Sequence, residues 1–198
     1  MQQNDIGKKR TRLYSRRGDL GETSLAFGPR VGKDHRRIVL SGALEELSAQ
    51  IGWVRALEVD PDVDRVLKRL LFRIHEVQTE VLSVTPAKLA VKLVVENDIR
   101  AIERVIDVWD AKLNPAPKSL IPGGCKTGAA IQIARTLCRR AERRACALLR
   151  FDPSFSPRVG AWLNRVGDLL WVLARFENSR LNFREESFSA CEDDPDLF

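Results

Sequence analysis

Between Ser119 and Arg144 the chain reads SLIPGGCKTGAAIQIARTLCRRAERR. Pro122-Gly123-Gly124 ends whatever precedes it and turns the chain. Beyond the turn, Ala130, Ala134, Leu137, Ala141, Ala145 and Leu148 recur at helical spacing. This predicts one long helix whose packing face is mostly methyl groups, so neighbouring helices must approach it closely. At about 100° per residue, Gln132, Arg135, Arg139, Glu142 and Arg143 fall on the opposite side. Arg135 and Arg139 are one turn apart, as are Arg139 and Glu142, so guanidiniums and a carboxylate project together. Such a face suits a polyanion; the same spacing also describes an ordinary solvated arginine surface. A phosphate-binding P-loop is rejected, because Cys125 and not glycine precedes Lys126 and Leu120-Ile121 is too short for its strand.

Four further periodic segments surround this one. Ser41 to Leu57 carries Leu44, Leu47, Ile51 and Val54 on one side, and Val63 to Ser83 follows Pro61 with Val66, Leu70, Ile74 and Val77. Glu96 to Leu113 holds Ile99, Ile102, Val105, Ile106 and Trp109, and ends at the run Asn114 to Pro117. Arg158 to Asn178 follows the Ser156-Pro157 turn, with Leu163, Val166, Leu169, Leu170 and Leu173 inward and Asn164, Arg165 and Asp168 as a polar group. With short breaks and no convincing strand pattern, the expected fold is all-α: an antiparallel five-helix bundle preceded by an extended, glycine-rich segment. The 198 residues are read as one domain, with 1–12 and 181–198 as flexible ends.

The distribution of charge says more than its total. Met1 to Leu40 holds ten Lys/Arg against four Asp/Glu, a local excess equal to the net +6 of the whole chain. Within it, Tyr14 to Lys33 places Gly18, Gly21, Gly28 and Gly32 among Ser15, Thr23, Ser24 and basic side chains. Backbone N–H groups of such a loop can wrap phosphate oxygens, although basic glycine loops also serve as plain linkers. The four cysteines, Cys125, Cys138, Cys146 and Cys191, show no CxxC pairing and are read as reduced thiols. With only His35 and His75, a His/Cys metal site is not expected, and His75 reads as packed or solvated. No run approaches a membrane span, and the start lacks the apolar stretch of a secretory signal; the expected location is cytoplasmic.

Three pieces, SRRGDLGETSLAFGPRVGKD, ARTLCRRAERR and LNRVGDLLWVLAR, resemble the motif blocks of PduO-type ATP:cob(I)alamin adenosyltransferases. The turn IPGG and GALEELSAQIG extend the likeness, which spans Leu13 to Arg175 in the family's order. The resemblance implies a five-helix bundle assembled as a homotrimer with the active site between subunits. It implies transfer of the 5′-deoxyadenosyl group of ATP to reduced cobalamin with release of tripolyphosphate, a divalent cation such as Mg2+ accompanying the nucleotide, and an acceptor enzyme for the product. The nucleotide-contacting positions it implies are Ser15, Arg16, Arg17, Gly18, Thr23, Ser24 and Lys33, then Arg139, Arg140, Ala141, Glu142 and Arg143, and Asn164. Lys33, Arg135 and Arg139 are the expected charge stabilisers. Glu45, on the first helix, stands where the family pairs an acid with the first arginine of the block; no metal ligand is assigned.

The chain also departs from that pattern. Glu45 replaces an aspartate, lengthening the side chain by one methylene. Ser119 occupies the position of an aromatic residue that helps exclude cobalamin's lower axial ligand, and is the one cobalamin-binding position assigned. Ser48, Gly167 and Arg17 replace an asparagine, a serine and a threonine. Two further readings therefore accompany the enzyme: a relative that binds ATP or cobalamin as carrier or sensor with weak turnover, and a basic helical module for nucleic acid. The last finds support in the basic N-terminus but only Tyr14 and Phe27 as aromatic partners.

Overall fold

The computed structural model describes residues 14–85, 88, 90–116 and 119–187. The expectations for residues 1–12, and for Cys191 and the rest of 188–198, lie outside the described residues. The helices are α1 (Arg36–Ala56), α2 (Pro61–Leu82), α3 (Glu96–Asp110), α4 (Lys126–Phe151) and α5 (Pro157–Arg180). Four of the five starts follow a side-chain cap: His35 accepts from Arg37 N, Asp60 from Asp62 N and Val63 N, Cys125 Sγ from Gly128 N, and Ser156 from Arg158 N. For α3 the carboxylate of Asp98, in its first turn, accepts from Val95 N at 3.0 Å. Pro61 and Pro157 open their helices, where a missing N–H costs nothing.

Around the bundle the helices neighbour one another in the order α2, α1, α4, α5, α3. The alanine stripe explains the central place of α4. Ala130, Ala134, Ala141 and Ala145 are all buried, which lets α1 and α5 close on it from two sides. Leu44, Leu47 and Ile51 of α1, Leu163, Leu170 and Leu173 of α5, and Trp162 fill the space so created and are fully enclosed. Truncating any of these leucines to alanine costs about 2–5 kcal/mol, by lost transfer energy and the void left behind.

Three readings are corrected. Gln132, assigned to the polar side of α4, is buried; Gln50 of α1 reaches across to the Ala130 carbonyl at 3.0 Å, so the α1 contact extends over that flank. Helix α1 begins at Arg36 and not Ser41, because the apolar period starts late while the His35 cap sets the true first turn. The glycine-rich segment is not strandless. Strands β1 (Glu22–Ser24) and β2 (Arg30–Gly32) pair antiparallel, with Thr23 opposite Val31. Three-residue strands interrupted by glycine leave no alternation to read.

That hairpin is fastened to the bundle. Leu25 is buried, and Ala26 N donates to the Leu82 carbonyl at 3.0 Å, tying it to the end of α2. Arg37 then locks the same end from within, donating to the Val81 and Ser83 carbonyls at 2.8 Å each and to Asp152 Oδ2 at 2.6 Å. One buried guanidinium thus joins α1, the end of α2 and the α4–α5 turn.

Candidate active site

The arginine face forms one wall of a cleft between α4 and α5. Arg139, Glu142, Arg143, Cys146, Arg150 and Asn164 line about 360 Å³ of it. Asn164 Nδ2 donates to Glu142 Oε1 at 3.0 Å, holding the one carboxylate of this wall toward α5. Among the described residues, Arg135, Arg139 and Arg143 have no acidic partner within ion-pair distance, whereas Arg37 and Arg175 do. Like charges are therefore held together with little compensation. Burial, and then the Arg139 cation, push the Arg135 guanidinium below its usual pKa, with Asp168 acting against them. Arginine stays cationic at neutral pH despite such a shift, so the site keeps its positive potential. Beneath this wall Cys138 is sealed; burial pushes its thiol pKa up, and its Sγ lies 3.2 Å from the Leu163 carbonyl. It is an inert packing thiol.

The hairpin supplies a second cationic group. The turn before β1 uses left-handed backbone at Arg16 (φ 61°) and Gly21 (φ 83°). Gly18 matters for a different reason. A Cβ there would lie 3.2 Å from the Glu22 carbonyl oxygen, tighter than an ordinary contact, so the bare glycine lets the turn close on the start of β1, with Lys33 Cε and Nζ alongside. Arg30 braces the turn, donating to the Arg17 carbonyl at 2.7 Å and pairing with Glu22 at 3.3 Å. Ser15 Oγ accepts from Arg17 N at 3.4 Å. Arg16, Arg17, Ser24 and Lys33 are exposed, and Thr23 is half-buried on β1.

The structure thus divides the expected nucleotide residues. Arg139, Glu142, Arg143 and Asn164 meet in the α4–α5 cleft. Ser15, Arg16, Arg17, Gly18, Thr23, Ser24 and Lys33 meet in the hairpin. Among the described residues no hydrogen bond or ion pair joins the two groups within one chain. Arg140 turns away from the cleft and pairs with Glu46 of α1 at 2.9 Å, and Ala141 is fully buried under the wall. Glu45 is exposed and accepts from Gln78 Nε2 at 2.7 Å; within the chain it is not paired with Arg135. Ser119 is exposed on the connection before α4, at the other end of that helix from the cleft's Arg150. Cys146 and Arg150 join the cleft lining beyond the expected residues. Their spacing of three and four residues along the Arg139–Arg143 row was the available signal.

The family model for cobalamin adenosyltransferases matches residues 13–177, which contain both the hairpin and the cleft. The chain belongs to the cobalamin adenosyltransferase family. It is 34% identical over 172 residues to the corrinoid adenosyltransferase of Bacillus subtilis, covering 85% of this chain and 88% of that one. To the cobalamin adenosyltransferase of Cupriavidus metallidurans it is 32% identical over 176 residues, 87% of this chain and 91% of the relative. Against the corrinoid adenosyltransferase PduO of Salmonella typhimurium it is 31% identical over 171 residues, and spans only 50% of that longer protein. In fold it resembles a variant PduO-type ATP:corrinoid adenosyltransferase from Lactobacillus reuteri complexed with cobalamin and ATP, with a TM-score of 0.82 over 89% of this chain and 99% of that one, at 23% identity. No helix among the described residues is long and apolar enough to cross a membrane.

Proposed function

We propose that the chain transfers the 5′-deoxyadenosyl group of ATP to cob(I)alamin, giving adenosylcobalamin and tripolyphosphate. The observation that carries this reading is the uncompensated arginine wall of the α4–α5 cleft, lying inside the region that matches the family. The lone pair of cobalt(I) attacks C5′, the cobalt–carbon bond forms, and the C5′–O bond breaks with its electrons leaving on the triphosphate. Cobalt(I) is itself the nucleophile, so no general base is required.

The residues then have electrostatic and positioning tasks. Arg139 and Arg143 face the growing negative charge with preorganised donors, Arg135 adds to the potential from the buried side, and Lys33 with the hairpin N–H groups closes on the phosphates. The Glu142 carboxylate, fixed by Asn164, is the acceptor available for the ribose or a hydrated cation. The described residues contain no group of three or more His, Cys, Asp or Glu side chains arranged as a metal cage. That donor set fits a Mg2+ ion carried by the nucleotide's own phosphates with at most one protein carboxylate.

The separation of hairpin and cleft supports a site shared between copies, the hairpin of one chain capping the cleft of its neighbour in a homotrimer. The same arrangement gives Glu45 a route to Arg135 of another copy. A cytoplasmic location and delivery of the product to a cobalamin-dependent acceptor enzyme accompany this reading. The engagement of Glu45 by Gln78, with Ser119 in place of an aromatic, favours a second reading: an ATP- and corrinoid-binding relative of low turnover. An anaerobic assay with Mg·ATP and chemically reduced cobalamin separates the two. Disappearance of the cob(I)alamin spectrum with formation of the alkylcobalt product is expected; binding of both substrates without that change would establish the second.

A further inference from the structure

The last turns of α5 carry three buried polar side chains that the cleft does not use. Arg175, with 4% of its side chain exposed, holds Glu185 through Nε at 2.9 Å and donates from Nη2 to the Asn114 carbonyl at 2.8 Å. Glu177 is fully buried; it accepts from Thr127 Oγ1 at 2.8 Å, Asp60 N at 3.0 Å and Arg180 Nη2 at 2.7 Å. Asn178 accepts from Cys125 N through Oδ1 and donates through Nδ2 to the Gly123 carbonyl, both at 3.0 Å. A Cβ on either Gly124 or Gly128 would collide with the Asn178 amide, and Gly124 sits at φ 101°. The chain after α5 completes the fastening, with Ile121 N donating to the Glu186 carbonyl at 2.8 Å.

The destination of these bonds is informative. Arg175 and Asn178 end on the backbone of the connection between α3 and α4 (Asn114, Gly123 and Cys125), whereas Glu177 joins α5 to the starts of α2 and α4 and reaches that connection through Thr127 Oγ1, 3.2 Å from Cys125 Sγ. Surface connections are ordinarily left to water and mobility. Here a buried amide and a buried guanidinium specify one conformation of a loop, the arrangement expected where the loop must hold a group in place. That connection carries Ser119.

We infer that Asn178 and Glu177, through Thr127, are positioning residues that set the Ser119–Gly124 turn for the corrinoid and not for the nucleotide. This inference rests on the adenosyltransferase reading above, in which Ser119 lies beside the corrin. The nucleotide is spared because Arg139 lies thirteen residues beyond Lys126, about 20 Å along α4 at 1.5 Å per residue. Loosening the clasp therefore moves one substrate's wall and leaves the other's in place.

The test uses the full-length chain with Asn178→Asp, which keeps the acceptor but removes the donor to Gly123, and Thr127→Val, which removes the hydroxyl at constant shape. Mg·ATP is titrated by calorimetry, and cob(II)alamin in the presence of ATP by its absorption spectrum. Asn178→Asp is expected to weaken cob(II)alamin binding by about tenfold, the scale of one lost buried hydrogen bond, while ATP affinity stays within about twofold. Thr127→Val shifts the same way and Thr127→Ser restores wild-type binding. If Asn178→Asp does not fold, the Thr127 pair carries the comparison alone. Corrinoid affinity unchanged in a variant whose melting temperature has fallen, or both affinities falling together, would overturn the inference alone. A wild-type chain that binds ATP but no corrinoid would overturn both it and the reading on which it rests.

Discussion

The molecule concentrates positive charge in two kinds of place, and treats it in opposite ways. At the bundle ends Arg37 and Arg175 are buried; each guanidinium is met by a carboxylate, and by two backbone carbonyls for Arg37 and one for Arg175. In the α4–α5 cleft Arg139 and Arg143 are exposed, and among the described residues neither has an acidic partner. A satisfied buried cation fixes geometry, because removing it strands its partners. An unsatisfied clustered cation costs stability and is retained for what it can bind.

The contrast is tested first by removing one member of each kind. Arg37→Ala should lower unfolding free energy by about 3–5 kcal/mol, seen as a shift in denaturant midpoint, since it strands Asp152 and two carbonyls. Arg139→Ala should do the reverse. Its melting temperature should stay near wild type while the adenosylation rate at saturating ATP falls on the order of 10²–10³, about 3–4 kcal/mol of transition-state stabilisation. Equal losses of stability in the two variants would erase the distinction.

Acid provides a finer test. The Ser154 hydroxyl and then the Arg37 guanidinium hold the Asp152 carboxyl below the usual carboxylate range. Because the folded pKa is the lower one, this contribution is present above the unfolded value of roughly 3.9 and is lost as pH falls through the folded value. Melting temperature should therefore drop on acidification, and Asp152→Asn should flatten that slope. Glu80 works against it: burial raises its pKa, so protonation favours the fold there. The smallest expected effect is in the cleft wall. A Cβ at Gly167 would meet only Arg139 Cγ, at 3.9 Å, so Gly167→Ala should stabilise by about 0.5–1 kcal/mol through chain entropy, measurable as a small rise in melting temperature.

These two uses of arginine could not be told apart in the sequence. Helical spacing announced the α4 face, because alanines at every turn left one side free, and the five helices followed from apolar period and proline breaks. The motif blocks then brought the glycine segment and the arginine row into one reading. The hairpin strands escaped, since glycine and three-residue length hide alternation. Arg140 sits beside Arg139 in the chain yet points to Glu46, a difference of one helical step that pattern alone does not resolve. Glu177 and Asn178 close the last periodic segment in the sequence, with nothing in the pattern to mark them as buried. Only folding shows Asn178 buried against the connection before α4 and Glu177 against Thr127 in the first turn of that helix, fifty or more residues earlier in the chain.

The most direct test of the shared site is complementation between Lys33→Ala and Arg139→Ala, which damage the hairpin and the cleft in separate chains. Each alone should adenosylate cobalamin poorly. Chains co-expressed and purified as mixed assemblies should regain activity, at about one site in four for random assembly into a closed ring, because some interfaces then pair an intact hairpin with an intact cleft. Activity no higher than that of the better single variant would contradict a site built from two copies.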